Sequence, residues 1–385
     1  MRKPIPYGKQ LISDEDIKSV VEVLNSDFIT QGPVIEKFED EFSKVIGSKY
    51  AIAVSSGTAA LHLCALVLGV NAKSRVLTTP ITFAASANCI KYCNGNIEFV
   101  DIDKTSYLIE PENIMLKIKS KPKGYYTGII PVNLGGLSTN LEKINQIAKE
   151  NNLWVIEDAC HSPGSGFYNN DNTFINSGSC IYSDLSIFSF HPVKHIAAGE
   201  GGMITTNDEK LAKKIKLLRT HGITNEHLNK SNSKNPWYYE MVELGFNYRL
   251  SDIHAALGLS QLKKLKNNVD RRMSIARKYD YFFDMVGIKH QKVSKKFFNS
   301  YHLYIIEVED RLELYNYLVK NGIYAQIHYI PLYRQPYYKN FNYNSSDYPN
   351  SEEYYSKCIS LPIFPSLTVS EQDHVIQTIS KFYNF

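Results

Sequence analysis

Short apolar runs alternate with helical segments along the first part of the chain, and this alternation restricts the architectures open to it. Continuous apolar strands separated by helices are typical of a parallel sheet that helices cover on both faces. We therefore predict an α/β fold with a mostly parallel sheet. The strands are predicted at 51–56, 76–80, 97–103, 128–133, 153–159, 183–190 and 202–206. The helices are predicted at 13–25, 34–46, 82–93, 140–151 and 208–219, with another beginning near Gly57.

The pattern changes after about residue 250. A long helical stretch covers 251–284, a strand follows at 301–309, and further helices are predicted near 310–321 and 370–383. This change predicts two domains, a large one over 1–250 and a smaller α/β domain over 251–385. Two segments are predicted as loops, at 222–248 and 339–352.

The composition is that of an ordinary globular protein, with 43% hydrophobic and 21% charged residues. The net charge of +4 is small, and Lys and Arg are spread along the chain, so we expect neither nucleic acid nor an acidic membrane as a partner. No apolar stretch reaches the roughly 18 residues of a membrane span, and the N-terminus has no apolar signal-peptide core. We therefore expect a cytoplasmic protein.

The cysteine pattern indicates free thiols and gives no metal site. None of the six cysteines forms a CxxC pair, and no His or Cys spacing supports zinc. Buried free thiols are typical of proteins in a reducing compartment. They are Cys64, Cys89, Cys93, Cys160, Cys180 and Cys358.

The stretch 186–202, SIFSFHPVKHIAAGEGG, holds a single lysine, Lys194, between an apolar strand and a glycine cluster. An amine among apolar and small residues is a candidate for a lowered pKa and for Schiff-base chemistry. Taken alone, the segment also fits a surface lysine in a turn.

Two other segments place polar groups at the ends of predicted strands. The SSGTAA turn at 55–60 offers free backbone N–H groups, small hydroxyls and the positive end of a helix dipole. Such a turn can bind a phosphate or simply cap a helix. Asp158 and His161 lie at the end of the strand LWVIEDA, where an aspartate can pair with a protonated ring nitrogen or cap the next loop.

These three segments are predicted to meet on one edge of the sheet, because ligands of parallel sheets lie at the carboxyl ends of the strands. A lysine, an aspartate and a phosphate-binding helix end are the groups that pyridoxal 5′-phosphate requires from a protein. The sequence therefore predicts a pyridoxal phosphate site.

With these segments in place, the chain resembles the DegT/DnrJ/EryC1/StrS family of pyridoxal phosphate-dependent nucleotide-sugar aminotransferases from about Tyr7 to the last helix. The resemblance implies the aspartate-aminotransferase fold (fold type I) and a homodimer with shared active sites. The matching segments are NSDFITQGPVIEKFE, VSSGTAALHL, TTPITFAASAN, VIEDACHSPGS, FSFHPVKHIAAGEGG, GFNYRLSDIHAALG and HYIPLYRQPYY.

The resemblance also implies a role for each matching residue. Lys194 would form the Schiff base with the cofactor and shuttle a proton. Asp158 would bind the pyridine nitrogen, and His161 would lie near the ring and its 3-hydroxyl. The remaining cofactor-binding residues would be Gly57, Thr58 and Ser189 at the phosphate, Asn247 reaching the phosphate of the other subunit, and Phe83 stacked on the ring.

Substrate recognition is implied at two places. Thr30 and Gln31 match a loop that meets the nucleotide sugar, and His328 and Tyr329 belong to a stretch that the family often has as HYxPxHxQPxY. Tyr333 stands here in place of the second histidine, so no substrate role is carried over to it. The aromatic stretch also fits packing between domains.

The activity implied is transfer of the amino group of L-glutamate to the C4 keto group of a UDP-linked 2-acetamido-2,6-dideoxy-hexos-4-ulose. The Lys194 and HYIPLYRQPYY segments are most like those of members that aminate the β-L-arabino isomer in pseudaminic acid biosynthesis. The alternatives are the D-xylo isomer, another nucleotide-linked keto sugar, or a non-catalytic protein that retains the cofactor. A non-catalytic protein would be expected to have lost Lys194, Asp158 or His161.

Overall fold

The computed structural model describes residues 3–225, 235 and 237–385. In this part of the chain the helices are α1 (Asp14–Leu24), α2 (Pro33–Ile46), α3 (Gly57–Val67), α4 (Ala85–Tyr92), α5 (Pro111–Lys119), α6 (Leu141–Glu150), α7 (Glu209–Arg219), α8 (Asp252–Leu262), α9 (Leu265–Val286), α10 (Arg311–Lys320), α11 (Pro336–Lys339), α12 (Pro349–Lys357) and α13 (Val369–Tyr383). The strands are β1 (Tyr50–Val54), β2 (Arg75–Thr78), β3 (Asn96–Phe99), β4 (Gly128–Ile130), β5 (Trp154–Asp158), β6 (Gly166–Tyr168), β7 (Phe174–Asn176), β8 (Leu185–Ser189), β9 (Gly202–Thr206), β10 (Ile223–Thr224), β11 (Glu240–Met241), β12 (Lys289–His290), β13 (Phe297–Phe298), β14 (Tyr304–Glu307) and β15 (Cys358–Leu361).

A seven-stranded sheet in the order β1-β9-β8-β5-β4-β2-β3 forms the centre of the molecule. Its strands run in the same direction except β9, which is antiparallel to both β1 and β8. The α/β fold with a mostly parallel sheet is therefore confirmed. The chain reverses before β9 through Gly199 and Gly201, whose φ angles of +81° and +152° favour glycine.

Helices cover both faces of this sheet, as the apolar strands require. Neighbouring residues of β8 show the division, since Ile187 packs into one buried cluster and Phe188 into another. The first cluster includes Leu61 of α3, and the second includes Phe38 and Phe42 of α2. The apolar side chains of the strands are thus packed on both faces of the sheet.

A second, smaller sheet has the antiparallel order β12-β14-β15 and packs with α9, α10 and α13. Ile5 joins its core from the other end of the chain, and the Ile5 N–H donates to Gly322 O at 2.8 Å. The helix predicted over 251–284 is two helices, of which α8 packs on α1 and α2. The domain boundary at residue 250 stays a prediction.

Two predicted loops contain regular structure. The segment 339–352 includes the start of α12, where Pro349 occupies a first-turn position that costs no hydrogen bond. The segment 222–248 includes β10 and β11, which pair antiparallel, while 226–234 and 236 lie outside the described residues. None of the helices described is long and apolar enough to cross a lipid bilayer.

Candidate active site

A cavity of about 310 Å³ lies where the carboxyl ends of β1, β5 and β8 meet the smaller sheet. This volume is in the range of small-molecule sites. The three segments that the sequence predicted on one edge all line it, and so do side chains that approach from the smaller sheet. The predicted site residues on its wall are Gly57, Thr58, Phe83, Asp158, His161, Ser189, Lys194, His328 and Tyr329.

The first wall of the cavity is the N-terminus of α3. Ser56 caps this helix by accepting a hydrogen bond from the Ala59 N–H at 3.0 Å. The N–H groups of Gly57 and Thr58 precede the first intrahelical bonds and remain available to a ligand. A Cβ on Gly57 would lie 3.1 Å from the Cβ of Ser189, so only glycine leaves this corner open. The corner therefore fits an anionic group such as a phosphate.

Asp158 ends β5 and is 5% exposed. Its Oδ2 accepts a hydrogen bond from Ser86 Oγ at 2.7 Å, and its Oδ1 accepts one from the Cys160 N–H at 3.2 Å. Among the described residues, no Lys, Arg or His forms a salt bridge with it, although Lys194 interacts with it electrostatically over a longer distance. A buried carboxylate without a salt-bridge partner is costly, so this site fits a ligand with a protonated ring nitrogen.

Glu157, the neighbouring carboxylate, has a different environment. Its Oε1 accepts a hydrogen bond from Asn133 Nδ2 at 2.8 Å, and its Oε2 accepts from Ser186 Oγ at 2.8 Å and the Gly178 N–H at 2.9 Å. Burial raises the pKa of Glu157. Successive strand residues point to opposite faces, so Asp158 reaches the cavity while Glu157 ties loops together on the other side.

Lys194 lies in the loop after β8 and is half-buried. Its Nζ is 3.4 Å from His302 Nε2. Burial lowers the pKa of the Lys194 amine, although the nearby Cys160 and Asp158 oppose this shift. A lowered pKa favours the neutral amine that nucleophilic and proton-transfer chemistry requires.

His161 lies between Lys194 and the smaller sheet. Its Nδ1 accepts a hydrogen bond from the Gly135 N–H at 3.4 Å, which leaves the hydrogen on Nε2 to contact the hydroxyl of Tyr329 at 3.3 Å. Its ring stacks on that of Tyr329 at 6.3 Å. Burial, with Lys194 next, lowers the pKa of His161 well below its usual value. His161 is therefore a neutral hydrogen-bond donor.

His328 and Phe83 flank Tyr329. The Nδ1 of His328 is 2.9 Å from Ser360 Oγ, and its ring meets Tyr329 edge-on at 4.9 Å. Burial lowers the pKa of His328 to about 3. Phe83 is 61% exposed, with its ring 6.4 Å from that of Tyr329. An exposed ring at the wall of a cavity can stack on a planar ligand.

Three predicted site residues lie outside this cavity. Thr30, Gln31 and Asn247 are exposed on the surface of the chain. The loop of Gln31 is fastened by Asp252, whose Oδ2 accepts a hydrogen bond from the Gly32 N–H at 2.7 Å. Their roles in cofactor and substrate binding stay predictions.

Tyr333 does not line the cavity either. Its hydroxyl donates to Glu352 Oε1 at 2.7 Å, and its ring stacks on Tyr348 at 4.7 Å. Its surroundings are those of a packing residue between α12 and the large sheet. The stretch therefore combines the two interpretations given for it. Tyr329 lines the cavity, whereas Tyr333 packs against other residues.

Several residues of the cavity wall were not among the predicted site residues, and two of them bear on the chemistry. Ser86 lies four residues after Thr82, and their hydroxyls are 2.8 Å apart, a helical spacing that could have been noticed. His302 was assigned only to a strand. No local pattern marks it, because its contact with Lys194 joins residues 108 positions apart.

Comparisons with known proteins agree with this geometry. The DegT/DnrJ/EryC1/StrS aminotransferase family matches residues 10–380. A Campylobacter jejuni protein named UDP-4-amino-4,6-dideoxy-N-acetyl-beta-L-altrosamine transaminase is 35% identical, over 97% of this chain and 96% of the other. The structure of Helicobacter pylori PseC, an aminotransferase of pseudaminic acid biosynthesis, is similar with a TM-score of 0.89, 30% identity and full coverage of both chains. The PMP form of Spr1654 from Streptococcus pneumoniae has a TM-score of 0.91 at 28% identity, with 99% of each chain covered.

Proposed function

Since this chain belongs to the DegT/DnrJ/EryC1/StrS aminotransferase family and is a pyridoxal phosphate-dependent sugar aminotransferase, we propose its specific reaction. It transfers the amino group of L-glutamate to C4 of UDP-2-acetamido-2,6-dideoxy-β-L-arabino-hexos-4-ulose. The product is UDP-4-amino-4,6-dideoxy-N-acetyl-β-L-altrosamine, in pseudaminic acid biosynthesis. The observation that carries the chemistry is a half-buried amine and an unpaired carboxylate on one cavity wall.

The bound cofactor supplies an electron sink for the carbon that loses a proton. The residues of this chain would hold it at three points. The N–H groups of Gly57 and Thr58, with Ser189, bind its phosphate. Asp158 keeps its ring nitrogen protonated, and Phe83 stacks on the ring.

Lys194 has two tasks in this proposal. Its Nζ holds the cofactor between turnovers and, when free and neutral, takes the proton from Cα of glutamate. In the second half-reaction it returns a proton to C4 of the sugar. The two half-reactions balance without an added oxidant, because glutamate is converted to 2-oxoglutarate as the sugar ketone is converted to an amine. His161 and Tyr329 face the same space and orient the substrate polar groups.

The choice of sugar is supported by two relatives. The C. jejuni transaminase is named for the altrosamine product, and H. pylori PseC is described as a pseudaminic acid enzyme. We extend the same substrate to this chain on their similarity over nearly its whole length.

We also propose that the active unit is a homodimer. Thr30 and Gln31 would contact the nucleotide sugar, and Asn247 would reach the cofactor phosphate of the partner subunit. Their exposure, outside the cavity of their own chain, supports this arrangement.

The role of Lys194 is tested by Lys194→Ala. The wild-type protein is expected to be yellow, with an absorbance band that glutamate shifts toward the pyridoxamine form. The variant is expected to lose turnover, because no other amine lines the cavity among the described residues. A folded Lys194→Ala protein that still transaminates would contradict the assignment.

The sugar is tested by turnover with each UDP-4-keto isomer and glutamate, followed by mass spectrometry. Amination of the β-L-arabino isomer at the higher kcat/KM supports the proposal. A preference for the D-xylo isomer would replace the substrate and leave the aminotransferase chemistry intact.

A further inference from the structure

His302 is a cavity residue whose contacts point to a task in the reaction. It is 5% exposed, and its Nε2 is 3.4 Å from Nζ of Lys194. In the described part of the chain (3–225, 235 and 237–385), this is the only hydrogen-bonding contact of the Lys194 amine. The His302 ring also lies 4.3 Å from that of His161 and 5.8 Å from that of His195.

The backbone around His302 is hydrogen-bonded to the turn that follows β4. The Ser300 N–H donates to Gly136 O at 3.1 Å, and the Leu303 N–H donates to Gly135 O at 3.1 Å. A Cβ on Gly136 would come within 2.9 Å of the backbone nitrogen of His302, so the two segments are in close contact. His302 therefore approaches Lys194 from a fixed backbone.

Two buried side chains form hydrogen bonds with the carbonyl groups of residues 300–302. Arg272 of α9 donates through Nη1 to Tyr301 O at 3.1 Å and to His302 O at 3.4 Å. His195 donates through Nε2 to Ser300 O at 2.9 Å. These bonds fix the backbone from which the His302 side chain extends toward the amine.

Burial keeps the imidazole of His302 neutral. Burial lowers the pKa of His302 well below its usual value, and Lys194, His161, His195 and Arg272 act in the same direction. Lys194 lies in the loop after β8, and Arg272 lies on α9. A neutral imidazole accepts a hydrogen bond at Nε2 when its hydrogen is on Nδ1, and in the described part of the chain the buried Nδ1 of His302 has no hydrogen-bond partner of its own.

This arrangement matches the state in which the lysine is free. In the proposed cycle Lys194 would be free whenever the cofactor is bonded to substrate or itself carries the amino group, and the free amine would have to transfer a proton. A free lysine side chain has many rotamers. A hydrogen-bond partner that favours one of them lowers the entropic cost of placing Nζ beside the reacting carbon.

We propose that His302 is a positioning residue that accepts a hydrogen bond from the free Nζ of Lys194 and holds it beside the reacting carbon. The inference rests on the role proposed above for Lys194. It does not depend on which sugar isomer is the substrate.

The test compares His302→Asn with His302→Gln in the glutamate half-reaction of the holoenzyme. The glutamine amide can place an oxygen where Nε2 stands, whereas the shorter asparagine cannot reach Nζ. We expect His302→Asn to slow the single-turnover absorbance change roughly 10- to 100-fold, with little change in half-saturating glutamate. His302→Gln is expected to recover much of the rate.

A second measurement reports on the lysine itself. Each enzyme in its pyridoxamine phosphate form is acetylated with acetic anhydride over a range of pH, and acetyl-Lys194 is quantified by mass spectrometry. The midpoint is expected to move to lower pH in His302→Asn, because the ammonium form loses its hydrogen-bond acceptor. In His302→Gln it is expected to stay near that of the wild type.

His374→Gln is the matched control, because it removes a histidine of α13 that lies outside the cavity. It is expected to change neither readout. His302→Leu replaces His302→Asn if circular dichroism shows that the latter is unfolded.

Wild-type rate in a folded His302→Asn overturns the inference, and so does a slow rate with an unmoved Lys194 midpoint, which would indicate a merely structural role. These outcomes differ from failure of the proposed function, in which Lys194→Ala itself would retain turnover.

Discussion

At the scale of single residues, the site depends on which way neighbouring side chains point. Glu157 and Asp158 are adjacent carboxylates of β5, yet only Asp158 lines the cavity. Ser86 donates to Asp158 Oδ2 at 2.7 Å, and Ser186 donates to Glu157 Oε2 at 2.8 Å. The two pairs are alike in chemistry and differ in the face of the sheet on which they lie. They therefore make a matched comparison.

Ser86→Ala is expected to weaken pyridoxal phosphate binding. Without the hydroxyl, the carboxylate of Asp158 can rotate away from the cavity, and loss of one such hydrogen bond corresponds to a roughly 3- to 10-fold rise in Kd. Spectroscopic titration of the apoprotein measures this constant. Ser186→Ala, the control, should lower stability without changing Kd. Equal Kd values for both variants would contradict the orienting role of Ser86.

Because its histidines are buried, the protein is expected to have a lower free energy of unfolding in acid. Burial lowers the pKa of His195 from 6.5 to about 3, so between these values the unfolded chain binds a proton that the folded protein does not. Stability from this residue is therefore present above pH 6.5 and falls as the pH drops. One such histidine reduces the free energy of unfolding by about 2 kcal/mol between pH 7 and pH 5.

Denaturant titrations of the wild type and His195→Gln at both pH values check this expectation. The variant is expected to lose less stability on acidification than the wild type. The interpretation is wrong if the two proteins lose the same amount.

At the scale of elements, the stretch HYIPLYRQPYY begins at the cavity and continues as packing. Tyr329 lines the site, whereas Tyr338 donates its hydroxyl to Asn88 of α4 at 2.7 Å. The Leu332 N–H donates to Pro80 O at 3.0 Å. The stretch thus fixes the smaller sheet to the large one while presenting Tyr329 to the substrate space.

Tyr333→Phe tests this division. Removing its hydrogen bond to Glu352 is expected to lower the free energy of unfolding by about 1 kcal/mol. The kinetics with the keto sugar should not change, because Tyr333 lies outside the cavity. Tyr329→Phe is the contrasting variant, with a changed kcat or KM. A large rise in KM for Tyr333→Phe would show that Tyr333 contacts substrate.

At the scale of the whole molecule, the proposed homodimer has a candidate contact surface. Several large apolar side chains are exposed near Asn247, among them Met241 at 65% and Leu244 at 78%. Such side chains on a surface are typical of interfaces between subunits. A dimer in which each chain completes the other's site would cover them.

Mixing two inactive variants tests the shared site. Lys194→Ala lacks the amine, and Asn247→Asp places a carboxylate against the partner's phosphate. In a two-fold dimer each mixed pair has one site with both residues intact, so random exchange restores about a quarter of wild-type activity. Activity that stays at the level of the separate variants, with subunit exchange shown by native mass spectrometry, would contradict shared sites.

The sequence by itself determined the seven strands of the large sheet, the helices that cover it apart from α5, the mostly parallel character of the sheet and the three segments at its edge. These features follow from local burial patterns and strand ends, which short stretches of sequence carry. Only the tertiary structure decided three other features. These are the direction of β9, the division of α8 from α9 and the hydrogen-bonding contact between His302 and Lys194. They depend on packing between segments far apart in the chain, and no local pattern records which of many polar residues will meet.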